Sequence, residues 1–185
     1  MSQAQTIELL DPHSKDLLHV LLEAPLSSLE LLSAQLSNEI DETPASLARR
    51  AIEAIHVWST NEKVAFIQGH PRIGEKSNLS ALSAAEQAKY ATPPTVLKRL
   101  EILNAEYERR FEGLRYITFV ACRTRAQIAE EMEQLMGISP EDQLDGSSPK
   151  PLGPGDDLWE AELKRAIGDI GRIAQDRASK VQVLA

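Results

Sequence analysis

Tyr116-Ile117-Thr118-Phe119-Val120 is the stretch on which the fold class turns. It is the one strand-like run in the chain, built from the β-branched and aromatic residues that favour a pleated surface. A strand needs a partner, and no second run of this kind is present. The segment therefore reads as extended chain feeding a helix over Arg125–Met136. Everything around it has helical period. Upstream, Leu97, Leu100, Leu103, Tyr107 and Phe111 share one stripe of a long helix that starts at Pro93-Pro94 and ends by Gly113. Leu17, Leu18, Val20, Leu21 and Leu22 open a first helix that stops near Pro25, and Leu29, Leu32 and Leu36 mark a second. Thr43 and Pro44 have the order of an N-cap and a first helical position, followed by the face Leu47, Ala51, Ala54, Ile55 and Trp58. Asn61–Gln68 and Ser83–Tyr90 are shorter helices. Downstream, Leu158–Lys180 carries Leu163, Ala166, Ile167, Ile170, Ile173 and Ala174 on one side, an apolar stripe that one helix cannot bury alone. The fold class is all-α, a single-domain helical bundle of about eight helices over residues 1–185.

Between the last two helices, Gly137 to Asp157 collects four prolines and four glycines, so 138–157 is expected to be a mobile loop and not a domain boundary. A hydrophobic share of 42% with 26% charged residues is that of an ordinary soluble domain. The net charge of −8, with Arg49-Arg50 and Arg109-Arg110 scattered among helix faces, argues against a nucleic-acid partner. No apolar run approaches the roughly 20 residues of a membrane span, and Met1 to Gln5 lacks a charged-then-apolar signal. The ending Val183-Leu184-Ala185 is not a Ser-Lys-Leu type address, so a cytoplasmic or peroxisomal location is expected without a peroxisomal signal of that kind. The single cysteine, Cys122, closes an apolar run and is expected to be a small buried filler. His13, His19, His56 and His70 have no ligand spacing, so no metal is expected.

Two constellations could carry chemistry. Gly69-His70-Pro71-Arg72-Ile73-Gly74 follows directly on a helix. Proline drives the residue before it out of the α region, which makes His70 the point where the backbone turns extended. An imidazole held there could donate or accept a proton near neutral pH, or it could merely cap the helix through the last carbonyls. Ser83-Ala84-Ala85-Glu86-Gln87 has the spacing of a capping box. The same geometry also presents an ionised carboxylate at a helix N-terminus, with Gln87 adding a donor and an acceptor.

Taken in order, His70-Pro71-x-x-Gly74, Ser83-x-x-Glu86-Gln87, Leu103-Asn104-x-x-Tyr107-x-x-Arg110-Phe111 and Tyr116-Ile117-Thr118-Phe119-Val120 resemble the 2-oxo-4-hydroxy-4-carboxy-5-ureidoimidazoline (OHCU) decarboxylases. These complete the conversion of urate to S-allantoin. The likeness is clearest from Ala45 to Met136, moderate in Leu158–Lys180 and thin before that, where Leu21 to Leu26 looks like a worn form of the family's Phe-Glu-x-Ser-Pro-Trp segment. The resemblance implies an all-helical, cofactor-free homodimer acting on a small ureidoimidazoline. It implies catalytic roles for His70 and Glu86, and substrate contacts from Pro71, Ser83, Gln87 and the segment Ile117, Thr118, Phe119, Val120 and Ala121. Many members carry arginine or asparagine where this chain has Ala121, glycine where it has Cys122, and His-Pro-Asp-Leu where it has His70-Pro71-Arg72-Ile73. Arg123 could supply the polar contact that Ala121 lacks. Such variation resembles a divergent, fungal-looking branch.

The implied substrate holds its carboxylate on a ring carbon beside a C=N bond. That imine can take up the electron pair left by CO2, so the reaction needs no pyridoxal phosphate or metal. Its demand on the protein is orientation and a proton delivered to one face, which suits an imidazole with an orienting carboxylate. A different reading is a catalytically inactive helical relative that serves as a protein-interaction module, which the changes at Ala24 and Ala121 allow. Another is a decarboxylase or hydrolase of a different ureido or imidazole compound.

Overall fold

The computed structural model describes residues 15–36, 43–75, 92–139 and 150–181. Within them are seven α-helices: α1 (Lys15–Leu22), α2 (Leu26–Leu36), α3 (Pro44–His56), α4 (Thr60–Gln68), α5 (Pro94–Arg110), α6 (Arg125–Met136) and α7 (Asp157–Ala178). The helix expected over Ser83–Tyr90 lies outside the described residues. The class is all-α, and the pivotal run Tyr116 to Val120 has no strand assignment, running instead as extended chain toward α6. The described residues of 1–69 and 165–185 form one compact unit, and those of 70–164 another.

The first unit holds α1 to α4 and the C-terminal part of α7. Its helix starts are set by local chemistry. The Thr43 hydroxyl accepts from the Ser46 amide at 3.1 Å while Ser46 Oγ accepts from the Thr43 amide at 3.3 Å, with Pro44 preset at the first helical position. Ser59 and Glu62 form the same reciprocal box at the start of α4, and those bonds from Ser59 hold the Glu62 carboxyl below its ordinary pKa. Leu29, Leu32, Leu36, Leu47, Ala51 and Ile55 are buried, as the periodicity requires. Trp58, just beyond α3, is buried with them; its indole N–H donates to Gln35 Oε1 at 2.8 Å and its ring meets Phe66 edge-on at 5.9 Å.

Gly69 ends α4, and its need for glycine is one of space. A Cβ there would lie 2.0 Å from Cγ and 2.4 Å from Cδ of Pro25, a ring that cannot swing aside as a flexible side chain would. Gly69→Ala is therefore expected to destabilise the protein by about 1–3 kcal/mol, the usual cost of overpacking, read from the urea midpoint. An unchanged midpoint would mean the chain after α1 yields freely.

In the second unit α5 and α6 pack together, and the N-terminal part of α7 belongs to the same unit. Leu100, Leu103, Tyr107 and Phe111 are buried on α5, although Leu97 is only half-buried. Tyr107 is central: its ring lies 4.9 Å from Phe111 and 5.3 Å from Tyr116, and its hydroxyl donates to the buried Glu162 at 2.6 Å. The α6 helix has its own box, Thr124 with Gln127, and stops at Gly137, whose φ of 69° is the left-handed conformation glycine allows. Residues 140–149 of the expected loop lie outside the described residues. Beyond them, Leu152 is fixed by a parallel bridge to Phe111: its amide donates to the Arg110 carbonyl at 2.8 Å and its carbonyl accepts from the Glu112 amide at 2.9 Å. Trp159 Nε1 then donates to the Glu112 carbonyl at 2.9 Å, seating the start of α7 on the end of α5. No single described helix is long and apolar enough to cross a membrane.

Candidate active site

His70 is the first residue after the α4 cap, and it is buried with only 6% of its surface exposed. Its backbone is gripped from elsewhere in the second unit. The His70 carbonyl accepts a hydrogen bond from Arg115 Nη1, and the Ile73 carbonyl accepts one from Asn104 Nδ2 at 3.0 Å. Between them, the Arg72 guanidinium makes a two-pronged pair with Glu108, Nε to Oε1 at 2.6 Å and Nη2 to Oε2 at 2.7 Å. The bond to Glu108 raises the Arg72 pKa further above its ordinary value. Glu75 closes the turn: its carboxylate accepts from the Arg72 amide at 3.0 Å, and its own amide donates to the Arg72 carbonyl at 3.1 Å.

Gly74 completes this turn at φ 84°, where a Cβ would sit 3.1 Å from Leu100 Cδ1. Leu100, Asn104 and Glu108 are thus three successive turns of one α5 face, each touching a different point of the 70–75 turn. Gly74→Ala is expected to cost about 1–2 kcal/mol through the positive φ, with the Leu100 contact adding to it. Chemical denaturation checks this, and a neutral substitution would show that the turn can relax.

The extended segment is held from within. Ile117 and Thr118 are buried, Phe119 and Val120 half-buried, and Ala121 exposed at φ 49°, a conformation that strains any residue with a Cβ. Arg123 folds back along it. Its Nη2 donates to Thr118 Oγ1 at 2.9 Å and to the Phe119 carbonyl, its Nε donates to the Val120 carbonyl at 3.3 Å, and its Nη1 pairs with Glu131. The guanidinium expected to stand in for a polar side chain at Ala121 is therefore engaged in holding the segment's shape. Cys122 is exposed, against the expectation of a buried filler. The apolar run loses its burial where the chain turns at Ala121.

The structure joins His70 to the chain two residues before Ile117, through Arg115. Pro71 is half-buried between His70 and the Arg72–Glu108 pair. Ser83, Glu86 and Gln87 fall in 76–91, outside the described residues. The described chain leaves at Glu75, bonded to Arg72, and resumes at Thr92, whose hydroxyl accepts from Arg125 Nη1 at 2.9 Å. Burial lowers the Arg125 pKa from its ordinary value. No group of three or more His, Cys, Asp or Glu among the described residues is placed to hold a metal ion.

Reading α5 by its apolar stripe picks out Leu103, Tyr107 and Phe111 and passes over Glu108 and Arg115. The signal that could have found Glu108 is the four-residue step Leu100, Asn104, Glu108, which puts a polar pair on the flank of the stripe. Asn104 is conspicuous within the Leu103 to Phe111 motif as an amide at a buried position.

The architecture is all-α. It matches the crystal structure of an OHCU decarboxylase in the presence of (S)-allantoin with a TM-score of 0.60, covering 90% of this chain and 96% of that one at 17% identity. At such identity the likeness is one of fold. A sequence model of the OHCU decarboxylase family matches residues 1–145, and the chain belongs to that family, the decarboxylases of urate degradation. A comparison with curated proteins finds no match.

Proposed function

We propose that this protein decarboxylates 2-oxo-4-hydroxy-4-carboxy-5-ureidoimidazoline to S-allantoin without a cofactor, with His70 as the general acid/base. The observation that carries this reading is the burial of His70 on a turn whose carbonyls at 70 and 73 are both held by side chains. An imidazole in that setting is shielded from water and limited in direction, which is what delivery of a proton to one face requires. As CO2 departs from the carboxylate, the C–C bond electrons form a C=C bond to the ureido-bearing carbon, and the former C=N pair moves to the ring nitrogen, which takes up a proton from solvent. The ring hydroxyl gives up its proton to become the carbonyl, and a proton adds to the carbon that bears the ureido group. His70 moves that proton. Glu86 orients the imidazole or the substrate hydroxyl, while Pro71, Ser83, Gln87 and the main chain of Ile117 to Ala121 fix the ring. The working form on this reading is a homodimer.

The test is direct. Freshly generated substrate is mixed with the purified chain and optical activity is followed by circular dichroism. Accelerated appearance of the S-allantoin signal supports the reading. A time course identical to the spontaneous, racemic decay would discard it in favour of an inactive helical relative.

A further inference from the structure

We infer that Asn104 and Arg115 are positioning residues for His70, the two donors that together fix the backbone turn from which its imidazole projects. The inference rests on the functional reading above and concerns the same site. A surface turn ordinarily shifts as its carbonyls exchange partners with water, and the side chains it carries shift with it. Here the carbonyls on either side of Pro71 and Arg72 are occupied by protein donors from separate places in the second unit. Asn104 reaches Ile73 from the middle of α5, and Arg115 reaches His70 from the start of the extended segment.

Neither donor is placed by chance. Asn104 is 5% exposed, and a buried amide in a helix interior is costly unless its polar atoms are used. Its partner is a turn carbonyl 31 residues away, not an atom of its own helix. Arg115 is oriented from its other edge by Glu108, whose Oε1 lies 3.9 Å from Arg115 Nε and 2.6 Å from Arg72 Nε. One carboxylate thus links the arginine inside the turn to the arginine that holds the turn. The same Arg115 directly precedes Tyr116, so the donor on the His70 carbonyl also ties the histidine to the chain that leads into Ile117. The proton-transferring group and the substrate-binding segment then share one reference point. Misplacement of a reacting group by about 1 Å can cost on the order of 100-fold in rate, which sets the scale of the expected effect.

Asn104→Asp is the sharpest probe, since it keeps the shape and replaces the donor with an acceptor facing the Ile73 carbonyl. Full-length wild type, Asn104→Asp, Arg115→Lys and Arg115→Met are compared for kcat, KM, the enantiomeric excess of the allantoin formed, and thermal midpoint. For Asn104→Asp and Arg115→Met we expect kcat to fall about 10- to 100-fold with KM changed less than threefold, and the enantiomeric excess to drop. Arg115→Lys, which retains a donor, recovers part of both. A merely structural role would lower the midpoint and the active fraction while leaving enantiomeric excess, KM and the kcat per active site unchanged, and that result overturns the inference. Should Asn104→Asp fail to fold, the Arg115 pair decides alone. Equal enantiomeric excess in Arg115→Met and wild type counts against the inference. A wild type that forms no S-allantoin removes the functional reading itself, an outcome distinct from active wild type with indifferent variants.

Discussion

His70→Asn is expected to lower the rate of S-allantoin formation by about 10²- to 10⁴-fold, the range a positioned acid or base contributes, while the melting midpoint stays near that of wild type. The two halves of this expectation come from different atoms. A fold-supporting contact at this position is made by the His70 carbonyl, which Arg115 holds and which the substitution leaves in place. The turn's other anchors, Asn104 on Ile73 and Glu108 on Arg72, are untouched. Asparagine also fills much of the space of an imidazole and tolerates the extended backbone before Pro71. The variant lacks a group that can gain and lose a proton near neutral pH. Residual turnover should show no dependence on pH attributable to an imidazole, and its product should approach a racemate. Near wild-type kcat with full enantiomeric excess would remove His70 from the mechanism. A collapse of the midpoint would instead mean that the buried ring is chiefly a packing element.

Most of the helical architecture is legible in residue order because it is set locally. Thr43-Pro44, Ser59 with Glu62 and Thr124 with Gln127 are short-range caps, and all three start helices in the structure. The missing partner for Tyr116 to Val120 likewise decides the class correctly. Contacts between distant residues are harder to read. Arg123 sits on the segment it was expected to assist, and its four donations go to atoms within eight residues, yet no periodicity encodes a side chain folding backward. Cys122 looks interior from its apolar neighbours, but burial along extended chain depends on where the backbone turns, and the positive φ at Ala121 is invisible in composition. The site shows the same division. His70 is conspicuous through its glycine and proline neighbours, whereas Glu108 and Arg115, which brace it, look like ordinary surface charges until the turn is folded against α5.

Arg177→Met is expected to destabilise the first unit by about 3–5 kcal/mol. An ion pair at the surface is worth little. Arg49 with Glu53, both 60% exposed, belongs to the class that contributes about 0–1 kcal/mol. Arg177 differs because its side chain is 4% exposed and that of its partner, Glu23, 11%, with Nη2 to Oε2 at 2.8 Å. Arg177 Nη1 also donates to the Leu21 carbonyl at 3.4 Å, so the last turn of α7 completes the C-terminal end of α1. Glu23 itself sits at φ 50°, a left-handed conformation that costs a non-glycine residue about 1–2 kcal/mol and is held while the carboxylate is paired. Deleting the guanidinium therefore takes one partner from a carboxylate largely removed from water, takes a donor from a helix-end carbonyl, and keeps the backbone strain. Against a total stability of about 5–15 kcal/mol this is a large fraction, visible as a shift of the urea midpoint. The double variant Glu23→Gly with Arg177→Met separates these causes. It removes the buried carboxylate and the strain together, so it should recover most of the loss. If the double variant is as unstable as Arg177→Met alone, the cost lies in packing around the arginine stem, and the buried charge is not the reason Arg177 matters.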